Sequence, residues 1–359
     1  MVANRMEWTR EQIESLCDAA QYRINSTTAK SLMARHAREE PPNDPRHLTD
    51  TRTRVSTLLE YSLAYELNNL LMEKADGQFI SCVLWNVFPD LVIRNSAGNT
   101  VAGLEVKALH TAAEEKSANL ATPVWQINAS TDFLVVMIWG WERSDEDGRE
   151  MRFPRIYFSE VFNAHMIARI RDYTWLSGQN GRIKGIDIAT PIISQIDSED
   201  QFKAEEGNLG KLMRIKLTQS ASRNLKGYSD LKAEGDRLET FQNRILGSAL
   251  IEVFKEVCFG LGVSDITHAE TASYPQQSTR LASGSTRGGD QLQLYAGRTD
   301  GRFLPPEPEG TLVLWLGRKL DWRVFKRHHQ QWEMLGSGLK AETAIAQIDG
   351  LIWPVIQDS

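Results

Sequence analysis

Two apolar segments near residue 100 carry three charged residues at spacings that suit chemistry on a phosphate ester. Asp90 follows Pro89 at the start of the first segment, and Glu105 and Lys107 lie two residues apart in the second. Adjacent carboxylates repel each other unless a cation lies between them, and oxygen ligands suit Mg²⁺. A bound Mg²⁺ would polarise a phosphodiester and activate a water, while Lys107 would orient that water, help to deprotonate it, or neutralise the phosphoryl oxygens. The pattern therefore predicts a magnesium site.

The elements that would position these side chains are two strands joined by a polar turn. Residues 91–93 and 101–104 are apolar and partly β-branched, as strands are, and residues 95–99 contain the Asn and Gly of a short turn. Successive side chains of a strand point to opposite faces, so the glutamate and the lysine of the second strand share one face. Hairpin geometry then returns Asp90 to a position beside them.

A pattern of this kind also occurs by chance. An acidic residue followed at a distance by an acid-x-lysine triplet is expected about once in a chain of this length. A Glu-x-Lys pair on a strand is commonly a solvated charge pair. Here, however, the charges interrupt apolar segments, and ionised groups avoid such positions unless they are paired or bound to metal. We therefore favour a functional site over a surface charge pair.

With Pro89-Asp90 and Glu105-x-Lys107, residues 53–141 resemble the PD-(D/E)xK nuclease superfamily and, within it, the type II restriction endonucleases. The resemblance implies an α/β (α+β) fold whose central mixed sheet is flanked by helices, with further helical and loop-rich recognition segments. It also implies Mg²⁺-dependent cleavage of double-stranded DNA and, commonly, a homodimer. About a quarter of the chain is covered.

In many members of that superfamily a helix upstream of the hairpin donates another acidic residue to the metal. The amphipathic segment that begins near residue 53 contains Glu60 and Glu66. Six residues correspond to about 600° of helical rotation, so the two carboxylates do not share a face. Glu60 aligns with Leu63 and Leu67, and we favour it as the third metal ligand, with Glu66 as the alternative.

Basic residues outside the hairpin are candidates for contacts with DNA phosphates or bases, for which arginine is the commonest specific partner. They lie after the central strand, in a segment near residue 215, in a glycine-rich loop and near the C-terminus. The selected residues are Arg152, Arg155, Lys211, Arg214, Arg287 and Arg323.

Composition narrows the class of protein. The 359 residues include 47 acidic and 41 basic side chains, and the formal charge of −6 excludes a uniformly basic nucleoid-type protein while permitting a local basic cleft. Neither a secretory signal nor an apolar run of membrane-spanning length occurs in the sequence. The three cysteines are far apart and suit a reducing compartment. These features predict a cytoplasmic protein, bacterial or archaeal by its resemblance.

Other chemistries fit the sequence less well. The seven histidines form no His-x-x-x-His zinc pattern, and no nucleophile elbow or dinucleotide fingerprint occurs. The glycines around Lys211 lack the spacing of a phosphate-binding loop, so no nucleotide cofactor is expected. A site-specific endonuclease is the favoured function. A repair or recombination nuclease for damaged or branched DNA, and a DNA-binding protein of the same fold without catalysis, remain alternatives.

We expect three regions: an N-terminal helical region with its linker (1–52), the catalytic core (53–205), and a C-terminal region (206–359) that completes the core and provides DNA recognition or dimerisation. Within them we expect a polar linker at 39–52 before a helix at 53–75. A further helix is expected at 159–175, with Ser159 as its N-cap. Residues 270–310 are expected to be loop-like, and helical segments should follow the strand at 311–317.

Overall fold

The protein is an α/β protein with two mixed β-sheets. The computed structural model describes residues 8–28, 45–83, 87–111, 118–146, 149–178, 182–183, 186–187, 210–213, 215–217, 228–260, 264–268, 279–285, 291–296, 304, 306–316 and 322–339. The chain divides into two compact units, residues 1–239 and 240–359. The expected boundaries at 52 and 205 stay predictions.

Helices of the first unit flank its sheet. They are α1 (Arg10–Arg23), continued by a π-helical turn (Ile24–Thr28), α2 (Pro45–Lys74), α3 (Ala164–Gly178) and the start of α4 (Tyr228–Gly260). Thr9 caps α1 through a capping box with Gln12, in which each side chain accepts the other residue's backbone N–H.

The sheet of the first unit has five strands in the order β1-β2-β3-β4-β5. They are β1 (Phe79–Cys82), β2 (Leu91–Arg94), β3 (Thr100–His110), β4 (Asp132–Glu146) and β5 (Arg149–Asn163). Only β3 and β4 are paired in parallel, and the other neighbours are antiparallel. A separate pair of two-residue strands, β6 (Arg182–Ile183) and β7 (Ile186–Asp187), follows α3.

One apolar cluster joins α1 and α2 to a single face of this sheet. Leucines that recur every four residues on α2 meet alternate residues of β3, and all of them are buried. These residues are Leu59, Leu63, Leu67, Leu71, Leu104, Val106 and Ala108. Burial of each leucine side chain contributes about 1.5–3 kcal/mol, so α2 is firmly seated on the sheet. Because side chains alternate along β3, Glu105 and Lys107 lie on the opposite face.

The expected hairpin is confirmed, and its two strands differ in length. Leu91 pairs with Leu104, and Arg94 pairs with Thr100 across a turn in which Asn95 accepts backbone hydrogen bonds. β2 begins at Leu91, whereas β3 continues to His110. The part of β3 after Leu104 therefore has one edge that β2 does not pair.

The outer edge of β5 is partly covered by a side chain. Asn25, in the π-helical turn, donates to the Ile156 carbonyl at 2.8 Å and accepts the Ile156 N–H at 2.9 Å. The amide thus makes the pair of bonds that a neighbouring strand would make. Such blocking limits edge-to-edge pairing with other chains.

The second unit contains a six-stranded sheet in the order β13-β12-β11-β10-β9-β8. The strands are β8 (Ser264–His268), β9 (Thr279–Ser285), β10 (Gln291–Ala296), β11 (Leu312–Leu316), β12 (Trp322–His328) and β13 (Gln331–Leu339). Only β10 and β11 are parallel. Tyr295 and Trp315 stack across them with ring centroids 6.3 Å apart.

Two sequence-based expectations about the elements of the first unit are wrong. The helix expected from residue 53 begins at Pro45, inside the expected linker, because proline is well tolerated in the first turn of a helix. Ser159 does not cap α3: it pairs with Met137 inside β5, and the cap is Asn163, whose side chain accepts the Met166 N–H at 2.9 Å.

The C-terminal half of the chain also differs from the expectation. The segment expected to be loop-like contains β9 and β10, and the described residues after β11 form strands instead of helices. A bulge between Val324 and Phe325 places two consecutive buried residues in β12. The alternation that marks a strand is broken there.

Candidate active site

Four ionisable side chains meet at the unpaired edge of β3. The Lys107 ammonium lies 2.7 Å from Glu105 Oε1 and 3.6 Å from Asp90 Oδ2. Glu60, on α2, is close enough that the charges of Lys107, Asp90 and Glu105 all act on its pKa. The structure therefore brings together the four residues selected as catalytic from the sequence.

Asp90 is held in place through the backbone of the neighbouring strand. Its Oδ2 accepts the backbone N–H of Val106 at 2.8 Å, and its carbonyl accepts the Val83 N–H at 2.8 Å. Val106 lies between Glu105 and Lys107, so this bond fixes the aspartate beside both. Pro89, which follows Phe88 through a cis peptide bond, packs against Gly103, where an added Cβ would come within 2.9 Å of Pro89 Cγ.

Glu60 reaches the same edge because α2 is bonded to β3 at Ala108. Ser56 Oγ donates to the Ala108 carbonyl at 2.9 Å and accepts the indole N–H of Trp139 at 3.2 Å. One helical turn later, the Glu60 carboxylate faces the Ala108 backbone N–H, which lowers the pKa of Glu60. Serine and glutamate four residues apart thus lie against the two backbone groups of one residue.

Glu66 points elsewhere. It is buried, and its negative charge acts on the guanidinium of Arg23 at the end of α1. Among the described interactions of the four-residue cluster, none involves Glu66. The geometry therefore favours Glu60, the preferred candidate, as the helix contribution.

Burial and the negative charge of neighbouring carboxylates both raise the pKa values of Glu60 and Glu105 in the cluster. Burial raises the pKa of Glu60 to about 7, Lys107 opposes the rise, and Asp90 adds to it. Burial also raises the pKa of Glu105, with Lys107 opposing and Asp90 adding through its charge and a hydrogen bond. For Lys107, burial alone would lower the pKa, but the Glu105 and Asp90 carboxylates outweigh it and raise the pKa. The single positive charge of Lys107 therefore does not fully compensate the negative charges of the neighbouring carboxylates.

This donor set fits a divalent metal ion. Three carboxylates and one ammonium leave a formal charge of −2 when all are ionised, which a divalent cation balances. All ligand atoms offered are oxygens, the preference of Mg²⁺, and two or three carboxylates leave positions for water and a phosphate oxygen. Asp90, Glu105 and Glu60 are the residues that would hold the ion.

The cluster opens toward solvent on one side. The Asp90 side chain is 44% exposed, whereas that of Glu105 is only 10% exposed. The open side of the cluster is therefore that of Asp90, and Glu105 lies at the closed end.

Sequence reasoning missed the residues that support the cluster. Ser56 anchors α2, and Gly103 makes room for Pro89 and for the Asp132 carboxylate, whose Oδ1 would lie 2.5 Å from an added Cβ. A serine four residues before the favoured glutamate, and a glycine inside an apolar strand, were signals in the sequence.

The described residues among those predicted to contact DNA lie on different elements of the two units. Arg155 is exposed on β5, and Arg323 is half-buried on β12 of the second unit. Lys211 is half-buried, and its backbone forms an isolated β-bridge with Asn119. The side chain of Arg152, and all of Arg214 and Arg287, lie outside the described residues. Their contacts with DNA stay predictions.

A second group of potential ligands lies at the surface of the second unit. Ligand atoms of Glu309, His328 and His329 all lie within 4.8 Å of one another. Glu309 accepts the backbone N–H groups of His329, at 2.8 Å, and Gln330, at 3.4 Å, which form the turn between β12 and β13. The Glu309 carboxylate therefore stabilises this turn.

Comparisons with known proteins add no identification. A scan against protein-family models and searches of curated proteins and of solved structures find no match for this chain. Within the described part of the chain, no helix has the length and apolar composition needed to cross a membrane.

Proposed function

We propose that this protein is a Mg²⁺-dependent endonuclease that hydrolyses phosphodiester bonds of double-stranded DNA, in the manner of a type II restriction enzyme. The observation that carries the proposal is the convergence of Asp90, Glu105, Lys107 and Glu60 at one strand edge. Support for a restriction-endonuclease-like core comes from the mixed five-stranded sheet with α1 and α2 packed on one face.

In this proposal Asp90, Glu105 and Glu60 hold the metal ion. Bound there, Mg²⁺ would supply Lewis acidity to the scissile phosphate and lower the pKa of a coordinated water. The backbone amide of Val106 orients the Asp90 carboxylate, so that this ligand is fixed before a substrate arrives.

Lys107 acts as a cation. Its raised pKa keeps it an ammonium at neutral pH, and it holds the Glu105 and Asp90 carboxylates together. With DNA in place, the same ammonium donates a hydrogen bond to a phosphoryl oxygen as negative charge builds there. Of the roles considered for this lysine, charge neutralisation fits its surroundings better than proton abstraction.

A digest of unmethylated phage DNA with the purified protein tests the proposal. Discrete fragments with Mg²⁺ and intact DNA with EDTA are the expected result, and mapping the fragment ends would give the recognition sequence. Cleavage restricted to branched or damaged substrates would instead indicate a repair nuclease. Binding without cleavage in Mg²⁺ and Mn²⁺ would indicate a DNA-binding protein of this fold.

Matched variants test the assignment of residues. Asp90→Ala, Glu105→Gln and Lys107→Ala should each lower cleavage by about 100-fold or more. DNA binding, measured in Ca²⁺ to suppress turnover, should persist. Glu60→Gln should lower cleavage and Glu66→Gln should not, since both are glutamates of α2 but only Glu60 faces the cluster. Equal activities of these two variants would refute the role of Glu60.

A further inference from the structure

Two consecutive histidines lie where β12 ends and the turn to β13 begins, and a glutamate lies against them. The ligand atoms of His328, His329 and Glu309 are all within 4.8 Å of one another, and all three residues are exposed. The two imidazole centroids are 4.0 Å apart, and the rings are inclined by 53° instead of stacked face to face. We call these three residues the turn triad.

The backbone on both sides of Glu309 holds this residue beside the histidines. The Thr311 N–H donates to the Pro308 carbonyl at 3.2 Å, which closes a tight turn around the glutamate. The Gly310 N–H donates to the Arg327 carbonyl at 3.0 Å, and the Arg327 N–H donates to the Thr311 carbonyl at 2.8 Å. The segment that carries the glutamate is therefore bonded to the last residues of β12.

The Glu309 carboxylate is oriented in the way that a metal ligand requires. Its Oε1 accepts the His329 N–H at 2.8 Å, and its Oε2 accepts the Gln330 N–H at 3.4 Å. Each carboxylate oxygen has two lone pairs, so that one on each remains for a cation. Carboxylates that bind metals are commonly hydrogen-bonded in turn, and these bonds fix their orientation. Support of the turn and binding of an ion are therefore compatible roles.

The backbone of the turn indicates that its side chains have a use. His329 and Gln330 have φ values of 48° and 60°. A Cβ atom disfavours this left-handed conformation, and residues held in it cluster at ligand sites. A turn that served the hairpin alone would be best built from Asn-Gly. The imidazole of His329 therefore explains this residue better than the geometry of the turn does.

We propose that the turn triad binds Zn²⁺ through two imidazole nitrogens and one carboxylate oxygen. This mixed donor set suits Zn²⁺, whereas Mg²⁺ prefers oxygen ligands alone. In a tetrahedral site with bonds of about 2.0–2.1 Å, the ligand atoms are about 3.4 Å apart, so closure requires movements of about 1 Å. Because the three side chains are exposed, they can rotate by this amount without loss of packing.

A zinc ion at the turn triad would fasten the segment that carries Glu309 to the β12–β13 hairpin through side chains as well as backbone. Three protein ligands leave one position of a tetrahedral site for water. All three ligands belong to the second unit, and none belongs to the four-residue cluster of the first unit. The inference is therefore independent of the proposed nuclease activity, and either one can fail alone.

A zinc titration of the full-length protein with isotope-labelled histidine tests the site by magnetic resonance. Excess Mg²⁺ is present throughout, since it limits the binding of zinc to carboxylates elsewhere in the chain. The imidazole signals of His328 and His329 should move together as Zn²⁺ is added, and Mg²⁺ alone should leave them in place. Signals that do not move, or that move only at millimolar zinc, would overturn the proposal.

Matched variants test the three ligands, with zinc affinity measured by competition against a chelator. His328→Gln, His329→Gln and Glu309→Gln should each weaken binding by at least about 100-fold, because loss of a group that only supports a ligand already costs about 10–100-fold. Glutamine at position 309 keeps an oxygen for the His329 N–H, so this variant separates metal binding from support of the turn.

His165→Gln is the control, because it removes a half-buried histidine of α3 in the first unit. This variant should retain the wild-type affinity for zinc. Wild-type affinity in the three triad variants, or an equal loss in His165→Gln, would show that zinc binds elsewhere and would overturn the proposal.

Discussion

The Asp90 carboxylate accepts the backbone N–H of Val106 at 2.8 Å, and this bond sets the register between the loop before β2 and the strand that carries Glu105 and Lys107. The aspartate is therefore both a candidate metal ligand and a structural link. Its two roles can be separated because one needs a negative charge and the other needs only an acceptor oxygen.

Asp90→Asn and Asp90→Ala should both abolish cleavage, but they should differ in stability. The asparagine oxygen can still accept the Val106 N–H, whereas alanine leaves that amide without its acceptor, at a cost of about 1–3 kcal/mol. Urea unfolding in EDTA measures the difference. Equal stabilities would show that water replaces the carboxylate without loss.

Ser56→Ala should lower both stability and activity. It removes the bond to the Ala108 carbonyl and the acceptor for Trp139, at about 1–3 kcal/mol, and it loosens the turn of α2 that carries Glu60. Ser62→Ala is the control on the same helix, because Ser62 is buried but bonds only to the Leu58 carbonyl within α2. Steady-state cleavage per folded molecule should fall for the first variant alone.

Gly103→Ala should displace Pro89 and with it Asp90. The added Cβ would lie 2.5 Å from Asp132 Oδ1 and 2.9 Å from Pro89 Cγ, so one of them must move. A shift of about 1 Å at a catalytic group costs on the order of 100-fold in rate. Gly98→Ala provides the contrast: its φ of +81° makes alanine strained, but the added Cβ meets open space. That variant should lose stability and keep its activity per folded molecule.

Glu60 should make stability depend on pH in the absence of divalent metal. Its pKa is raised from 4.5 to about 7, so the folded state binds the proton more tightly than the unfolded state. The free energy of unfolding therefore falls as pH rises through this window, by about 1–3 kcal/mol from this residue. Glu60→Gln should remove that part of the slope, measured by urea unfolding between pH 5 and pH 8 in EDTA.

Magnesium should reverse the effect, since a bound cation favours the ionised carboxylates. The gain in stability on adding Mg²⁺ should be larger at pH 8 than at pH 5 and smaller in Glu60→Gln than in the wild type. Identical pH slopes for both proteins would contradict the raised pKa.

Substitutions in the turn between β12 and β13 should increase the stability of the protein. His329 and Gln330 have φ values of 48° and 60°, a left-handed conformation that suits Asn-Gly in a two-residue hairpin turn. The double substitution His329→Asn with Gln330→Gly should raise stability by about 1–2 kcal/mol, measured by thermal unfolding. A lower Tm would mean that the histidine side chains contribute contacts that outweigh the backbone strain.

Those features of the candidate site that depend on short stretches of sequence were predictable. The Asn and Gly of residues 95–99 predict a tight turn, and the alternation of β3 separates Glu105 and Lys107 from Val106. The choice between Glu60 and Glu66 was harder, because both lie next to buried leucines of one helix. Only the position of the sheet relative to α2 distinguishes the two glutamates.

The fold was less predictable where tertiary pairing overrides local preference. Ser159 is a good helix cap in isolation, but its pairing with Met137 extends β5 to Asn163, which becomes the cap. In β12 the bulge at Val324 and Phe325 removes the two-residue period by which a strand is detected. Neither feature is visible from a short stretch of sequence alone.

The unequal lengths of β2 and β3 make the backbone itself a determinant of the proposed activity. If β2 were extended by three or four residues before Leu91, it would pair with β3 and occupy the Val106 amide that now holds Asp90 and the Ala108 amide that now faces Glu60. The proposed site would then be disrupted with all four charged side chains present. Homologues that retain the motif but lengthen this strand would be expected to have lost catalysis, and strand length could serve as a marker of such inactive relatives.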